Sequence, residues 1–235
     1  MDLTIVFDLD DTLYLERDYV RSGFAALDHW VADNLGVSGF GPAAQTAWDE
    51  GERYRSFDAA LAYLGIAADA DLVAALLAEY RGHVPDITLL PDASAFLAAC
   101  MGVCRLALIT DGPAIVQQRK IDALGLDRLG FDPIIATGFW GEAFWKPHLR
   151  AFRAVEDHHG TDGRRFVYVA DNPAKDFIAP HAIGWGTVQI NRAGAVHPRA
   201  PLQPEHAAQM EIQSLVDLTP QMLDRLLTQS SPARR

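Results

Sequence analysis

Leu3-Thr4-Ile5-Val6-Phe7-Asp8-Leu9-Asp10-Asp11-Thr12 is a run of apolar and β-branched residues that breaks off into carboxylates. Apolar residues in succession, with no polar alternation, describe a strand buried on both faces. With no basic lead, no long apolar run and no small-residue cleavage site, the segment reads as a first strand and not as a signal peptide. Asp8 and Asp10 stand two apart, so an extended backbone points both to the same side.

Outward from this stretch the same pattern recurs at Leu106 to Thr110, Pro133 to Thr137, Phe166 to Ala170 and Thr187 to Asn191. Between the last four lie segments of helical period, Ile115 to Leu124, Leu149 to His158 and Lys175 to Ile183. Strand and helix in alternation predict an α/β fold with a doubly wound, Rossmann-like parallel sheet. One gap is too long. A crossover needs about a dozen residues, yet far more separate Phe7 from Leu106, and most of them look helical.

Phe24, Leu27, Trp30, Val31 and Leu35 share one helical face, ended by Gly36, Gly39, Gly41 and Pro42. A second helical run, with a break or two, covers Ala43 to Leu64, and a third runs from Asp69 to Tyr80. Residues 16–86 are therefore expected to form an all-helical domain inserted after the first strand, leaving 1–15 and 87–235 as the core. Pro91-Asp92 opens the helix that completes the crossover, with Pro at its first turn. His197 to Glu205 reads as a loop, Gln209 to Leu215 as an edge strand, and Thr219-Pro220 as the start of a final helix. Ser230 to Arg235 reads as a frayed tail.

The chain has 235 residues, 49% of them hydrophobic, enough for a large core with or without a small accessory domain. Its formal charge of −11, unbroken by any basic stretch, argues against nucleic acid as a partner. A phosphate-bearing substrate would need local positive charge, from a metal or a few lysines. No stretch has the length of a membrane span, so no membrane partner is expected. Cys100 and Cys104 fit neither a disulfide framework nor a zinc spacing and read as thiols in a reducing cytoplasm. The sequence sets no oligomeric state.

Ligands of an open α/β sheet gather at the carboxyl ends of its strands. The first strand delivers Asp8 and Asp10, the second Thr110 and then Asp111-Gly112, the fourth Asp171 with Asp176 soon after. Lys146-Pro147 reads as the opening of the helix before the fourth strand. Packing Asp8 and Asp10 together, with Asp171 as a third acid, is unfavourable unless a cation sits among them. Mg²⁺ suits a site of few carboxylates, several waters and a phosphate. One such Asp alone would be read as a turn or helix cap; a set on successive strand ends is not.

Thr110-Asp111-Gly112-Pro113 places a hydroxyl and a flexible glycine before a helix, a ready phosphate cradle, although Thr and Asp are also ordinary N-caps. Lys146 follows apolar Phe139, Trp140, Phe144 and Trp145, a context that can hold an ammonium inside a site. Tyr14, Glu16, Arg17 and Tyr19 lie just past Asp8 and Asp10, where they could touch substrate. Arg53 and Arg55 read as solvated helix residues.

Together these elements resemble the haloacid dehalogenase superfamily, across the whole core. Its first motif, Asp-x-Asp-x-Thr, stands as Asp8-Leu9-Asp10-Asp11-Thr12. Its second, a Thr or Ser ending the second strand, matches Thr110. Its third, a lysine followed by proline, matches Lys146-Pro147. Its fourth, an acidic pair, matches Asp171 and Asp176 in Asp171-Asn172-Pro173-Ala174-Lys175-Asp176. The helical insert resembles the family's C1-type cap. Departures are small: Ala170 stands where glycine often precedes the fourth motif, and Asp111 where Asn is frequent.

The resemblance implies a phosphatase of small phosphorylated metabolites, sugar phosphates or nucleoside monophosphates among them. It makes Asp8 the nucleophile and Asp10 the general acid and base. Thr110, Asp111 and Lys146 would hold phosphate. Asp8, Asp171 and the Asp10 backbone carbonyl would hold Mg²⁺, with Asp176 and Asn172 behind them orienting its waters or Lys146. Relatives that dehalogenate carbon lack an acid at the position of Asp10, which argues against that reaction here. Phosphomutases keep both aspartates and form the enzymatic alternative. A catalytically silent binding protein would have lost Asp8, Asp10, Lys146 or Asp171, and none is missing.

Overall fold

The computed structural model describes residues 3–161, 165–197 and 200–229. The expected frayed tail, Ser230 to Arg235, lies outside the described residues. The chain divides into two compact units: residues up to Glu16 together with Thr88 onward, and Arg17–Ile87.

The first unit holds β1 (Leu3–Phe7); the second is built from α1 (Glu16–Leu35), α2 (Phe40–Asp49), α3 (Ser56–Tyr63) and α4 (Ala70–Gly82). The chain then returns through α5 (Pro91–Cys100), β2 (Arg105–Thr110), α6 (Ala114–Leu124), β3 (Phe131–Ala136) and α7 (Arg150–His159). It ends with β4 (Arg165–Ala170), α8 (Ile178–Ala182), β5 (Gly186–Ile190), β6 (Met210–Ile212) and α9 (Pro220–Gln229).

The six strands form one parallel sheet in the order β3-β2-β1-β4-β5-β6, the order of a doubly wound dinucleotide-type fold. The expected α/β class is observed. Ile5, Val6 and Phe7 of β1 and Val167 to Ala170 of β4 are at most 1% exposed, which is why their sequences read as unbroken apolar runs. Val6, Ile109, Phe152, Tyr168, Phe177 and Trp185 share one core cluster. The expected edge strand is β6, shorter than its sequence signal, and Thr219 Oγ1 accepts from Met222 N at the start of α9. Among the described residues no helix is long and apolar enough to cross a membrane.

The helical unit packs Phe24, Leu27, Val31, Phe40, Leu61 and Leu76 into a core of its own. Here the sequence expectation needs correction, because α2 starts at Phe40 and runs through Gly41 and Pro42. Asp28 Oδ1 of α1 accepts from Gly39 N and Gly41 N, each at 3.0 Å, and so caps the neighbouring helix from outside its own sequence. Pro42 then sits in the first turn, where its missing N–H costs nothing. Gly41 is required by proximity: a Cβ there would lie 2.7 Å from Phe24 O. The run to Leu64 breaks once, between Asp49 and Ser56.

Two more helix expectations shift. Pro147 does not open α7; it stands in a turn where His148 N donates to Trp145 O at 2.9 Å, and the helix begins at Arg150. Lys175 to Ile183 is not one helix either. Asp176 N bonds back to Asn172 O, and the Asp176 carboxylate accepts from Asn172 N. That side chain competes for the backbone and keeps this segment a turn until α8.

Candidate active site

The strand order reverses at β1, which has β2 on one side and β4 on the other. Ligands of such sheets bind at the carboxyl ends beside this switch, and Asp8 and Asp171 follow directly from β1 and β4. Asp8 N donates to Val169 O at 2.9 Å, so the ladder holds the backbone one residue past the strand. Carboxylate oxygens of Asp8, Asp171 and Asp176 all lie within 4.8 Å of one another, and all three residues are buried.

Lys146 Nζ reaches this cluster with a fully buried side chain. It lies 2.6 Å from Asp8 Oδ1 and 2.8 Å from Asp176 Oδ1, and it donates to Tyr168 Oη at 2.9 Å. An ammonium has three donors, and here each has a partner. Burial alone would lower the Lys146 pKa; Asp176 and Asp8 beside it override that and hold it well above the ordinary lysine value. Burial pushes the Asp8 carboxyl up to about 6, against the pull of Lys146. Asp171 is driven well above the usual carboxylate range, first by burial and then by Asp176 and Asp8.

Three buried carboxylates share one ammonium, an imbalance that shows in the raised pKa values of Asp8 and Asp171. Asp171 Oδ2 is buried without a hydrogen-bond partner, which is costly unless something positive meets it. The donor set is all oxygen, as hard divalent cations require. These residues fit Mg²⁺.

Asp10 stands apart from that cluster. Its Oδ1 accepts from Lys120 Nζ at 2.7 Å and from the Tyr14 hydroxyl, while its Oδ2 accepts from Gln117 Nε2 at 3.0 Å. Gln117 Nε2 also donates to Thr110 Oγ1, joining the ends of β1 and β2. Burial would raise the Asp10 pKa; the Lys120 ammonium and the three hydrogen bonds outweigh it and hold the group below the ordinary value. Asp11 adopts φ 52°, uncommon for a residue with a side chain. Its carboxylate anchors that bend by accepting from Glu16 N at 2.9 Å and Val196 N at 2.6 Å.

The Asp111 side chain is engaged within the protein, by Thr137 Oγ1 at 2.7 Å, Lys175 Nζ at 3.0 Å and Lys146 N. As an acceptor so occupied, it does not aim at a phosphate. Asn172 N donates to Asp176 Oδ2, and Asn172 Oδ1 accepts from Ala174 N, both at 3.0 Å. Of the residues singled out by sequence, Asp8, Asp10, Thr110, Asp111, Lys146, Asn172 and Asp176 thus join one hydrogen-bonded network at the carboxyl ends of the strands, and Asp171 lies against it through its carboxylate. Sequence reasoning missed Gln117, Lys120, Tyr168, Thr137 and Lys175. Gln117 and Lys120 carried a signal, since both interrupt the buried apolar face of α6 at Val116, Ile121 and Leu124. A cavity of about 640 Å³, lined by Arg105, Asp132, His158 and His159, lies at the opposite strand ends and shares no residue with the network.

The curated relatives include a glyceraldehyde 3-phosphate phosphatase of Methanocaldococcus jannaschii, 28% identical over 203 residues, 79% of this chain and 83% of that protein. Among solved structures, a putative HAD-hydrolase of Bacillus subtilis bound to magnesium matches with a TM-score of 0.63 at 20% identity, over 93% of this chain and 97% of its own. An L-2-haloacid dehalogenase of Xanthobacter autotrophicus matches at 0.62 and 19%, over 96% of this chain and all of its own. At such identities the structural likeness is one of fold. The haloacid dehalogenase-like hydrolase family model matches residues 3–184. Spanning β1 to the turn after α8, that match takes in every residue of the network, and the chain belongs to the haloacid dehalogenase-like hydrolases.

Proposed function

We propose that this hydrolase is a Mg²⁺-dependent phosphatase acting on a small phosphate monoester, such as a sugar phosphate or nucleoside monophosphate. The observation that carries the reading is Asp10, a second carboxylate outside the Asp8 cluster with both oxygens hydrogen-bonded. Breaking a carbon–halogen bond leaves no oxygen to protonate and so gives such a group no task as an acid. The phosphatase among the relatives points the same way.

In the first half-reaction an Asp8 oxygen bonds to phosphorus as the ester P–O bond breaks, and Asp10, in the minor protonated form that its lowered pKa leaves, gives its proton to the departing oxygen. In the second, Asp10 takes a proton from the water that attacks phosphorus, the Asp8–phosphorus bond breaks, and inorganic phosphate leaves. Mg²⁺ held by Asp8, Asp171 and the Asp10 backbone carbonyl would offset the repulsion between carboxylate and phosphate. Thr110 donates to the non-bridging oxygens, and so does Lys146 once it exchanges one of its three present partners for the phosphate. Asp176 and Asn172 hold Lys146 and the loop after β4 in place. The unit Arg17–Ile87 is read as the cap that selects the ester, and the cytoplasm as the place of action.

The test is Asp8→Asn in an assay of Mg²⁺-dependent phosphate release from 4-nitrophenyl phosphate. Release should fall to background while the fold survives. Undiminished turnover would sink the nucleophile assignment, and conservation of total phosphate ester would favour a mutase.

A further inference from the structure

Helix α6 turns a polar pair inward. Gln117 and Lys120, three positions apart and so on one face, are 1% and 4% exposed among Val116, Ile121 and Leu124. Burying an ammonium costs several kcal/mol unless it is paired, and a well-packed apolar pair often serves stability equally well. Stability alone gives no reason for a lysine here. Lys120 Nζ lies 2.7 Å from Asp10 Oδ1, and its charge also acts on Glu16.

We propose that Lys120, with Gln117 and Tyr14, is a positioning residue for the general acid and base. Lys120 and Tyr14 hold Oδ1 of Asp10 and Gln117 holds Oδ2, so the carboxylate cannot rotate without breaking a bond on either side. Gln117 further ties this carboxylate to Thr110 at the end of β2. The geometry of proton transfer is thus set before substrate arrives, and misplacement by about 1 Å can cost about 10²-fold in rate. The inference rests on the phosphatase reading above.

Lys120 acts through Asp10, so its loss should weigh on esters whose leaving oxygen needs a proton. 4-Nitrophenolate departs readily without one, whereas phenolate does not. With Mg²⁺ present, Lys120→Met should lower kcat on phenyl phosphate about tenfold more than on 4-nitrophenyl phosphate, less than the roughly 10²-fold or more ascribed to general acid catalysis because Asp10 itself remains. KM for both esters should change little, and Lys120→Arg should restore most of the loss. Tyr14→Phe, which keeps the ring and removes the hydroxyl, should give the same selectivity more weakly and carries the test if Lys120→Met does not fold.

Equal losses on the two esters mark a structural role, and a raised KM with intact kcat marks direct phosphate binding; either overturns the proposal. A wild-type chain that releases phosphate from neither ester removes the phosphatase reading and this inference with it. Wild-type turnover with unselective variants removes the inference alone.

Discussion

Lys146 carries the charge balance of the cluster. Its ammonium lies between Asp8 and Asp176, and its side chain is 0% exposed. A buried ion pair adds little against an apolar replacement of both partners, but removing one partner strands the other. Lys146→Met strands Asp8 and Asp176 beside Asp171 with no ammonium among them. In metal-free urea unfolding this variant should lose about 3 kcal/mol, and Lys146→Arg should lose less. At this scale much of the site was legible, because Asp8, Asp10, Thr110, Lys146 and Asp171 each end a strand or follow an apolar run. Tyr168 was not. Inside Phe166 to Ala170 a tyrosine looks like any packing aromatic, and only the fold brings its hydroxyl to Lys146.

Whole elements were read more securely than their ends. The strands and the helical insert follow from apolar period, which is a property of the element itself. The starts of α2 and α7 and the turn before α8 follow instead from hydrogen bonds made by distant or competing groups, such as Asp28 capping α2. A close approach of two elements is equally silent in sequence. Gly138, in the turn after β3, backs onto the loop after β2: a Cβ there would lie 2.1 Å from Gly112 O and 2.8 Å from Ala114 N. Gly138→Ala must therefore push the Thr110-Asp111-Gly112 segment out of place. Phosphate release should fall by about 10²-fold, with far-UV circular dichroism unchanged; full activity would show that this loop does not position the ester.

For the whole molecule, strand order was the hidden quantity. Alternation of strands and helices dictates a parallel sheet, but nothing in the period says that β4 returns to the far side of β1. That return brings Asp171 and Asp176 against Asp8, and it makes a metal site out of residues far apart in the chain. Such a site exists in the folded state alone, so a cation that fills it stabilises the fold by mass action, about 2.7 kcal/mol at a hundred times its Kd. In a chain of this size that is a rise in Tm of about 5 °C or more. Thermal unfolding should therefore move up with Mg²⁺ and return with EDTA. Asp171→Asn, which removes the carboxylate whose Oδ2 lacks a partner, should abolish most of the shift while leaving Lys146 paired with Asp8 and Asp176. A shift of equal size in that variant would place the cation elsewhere, because Asp171 is the member of the cluster with least else to hold it.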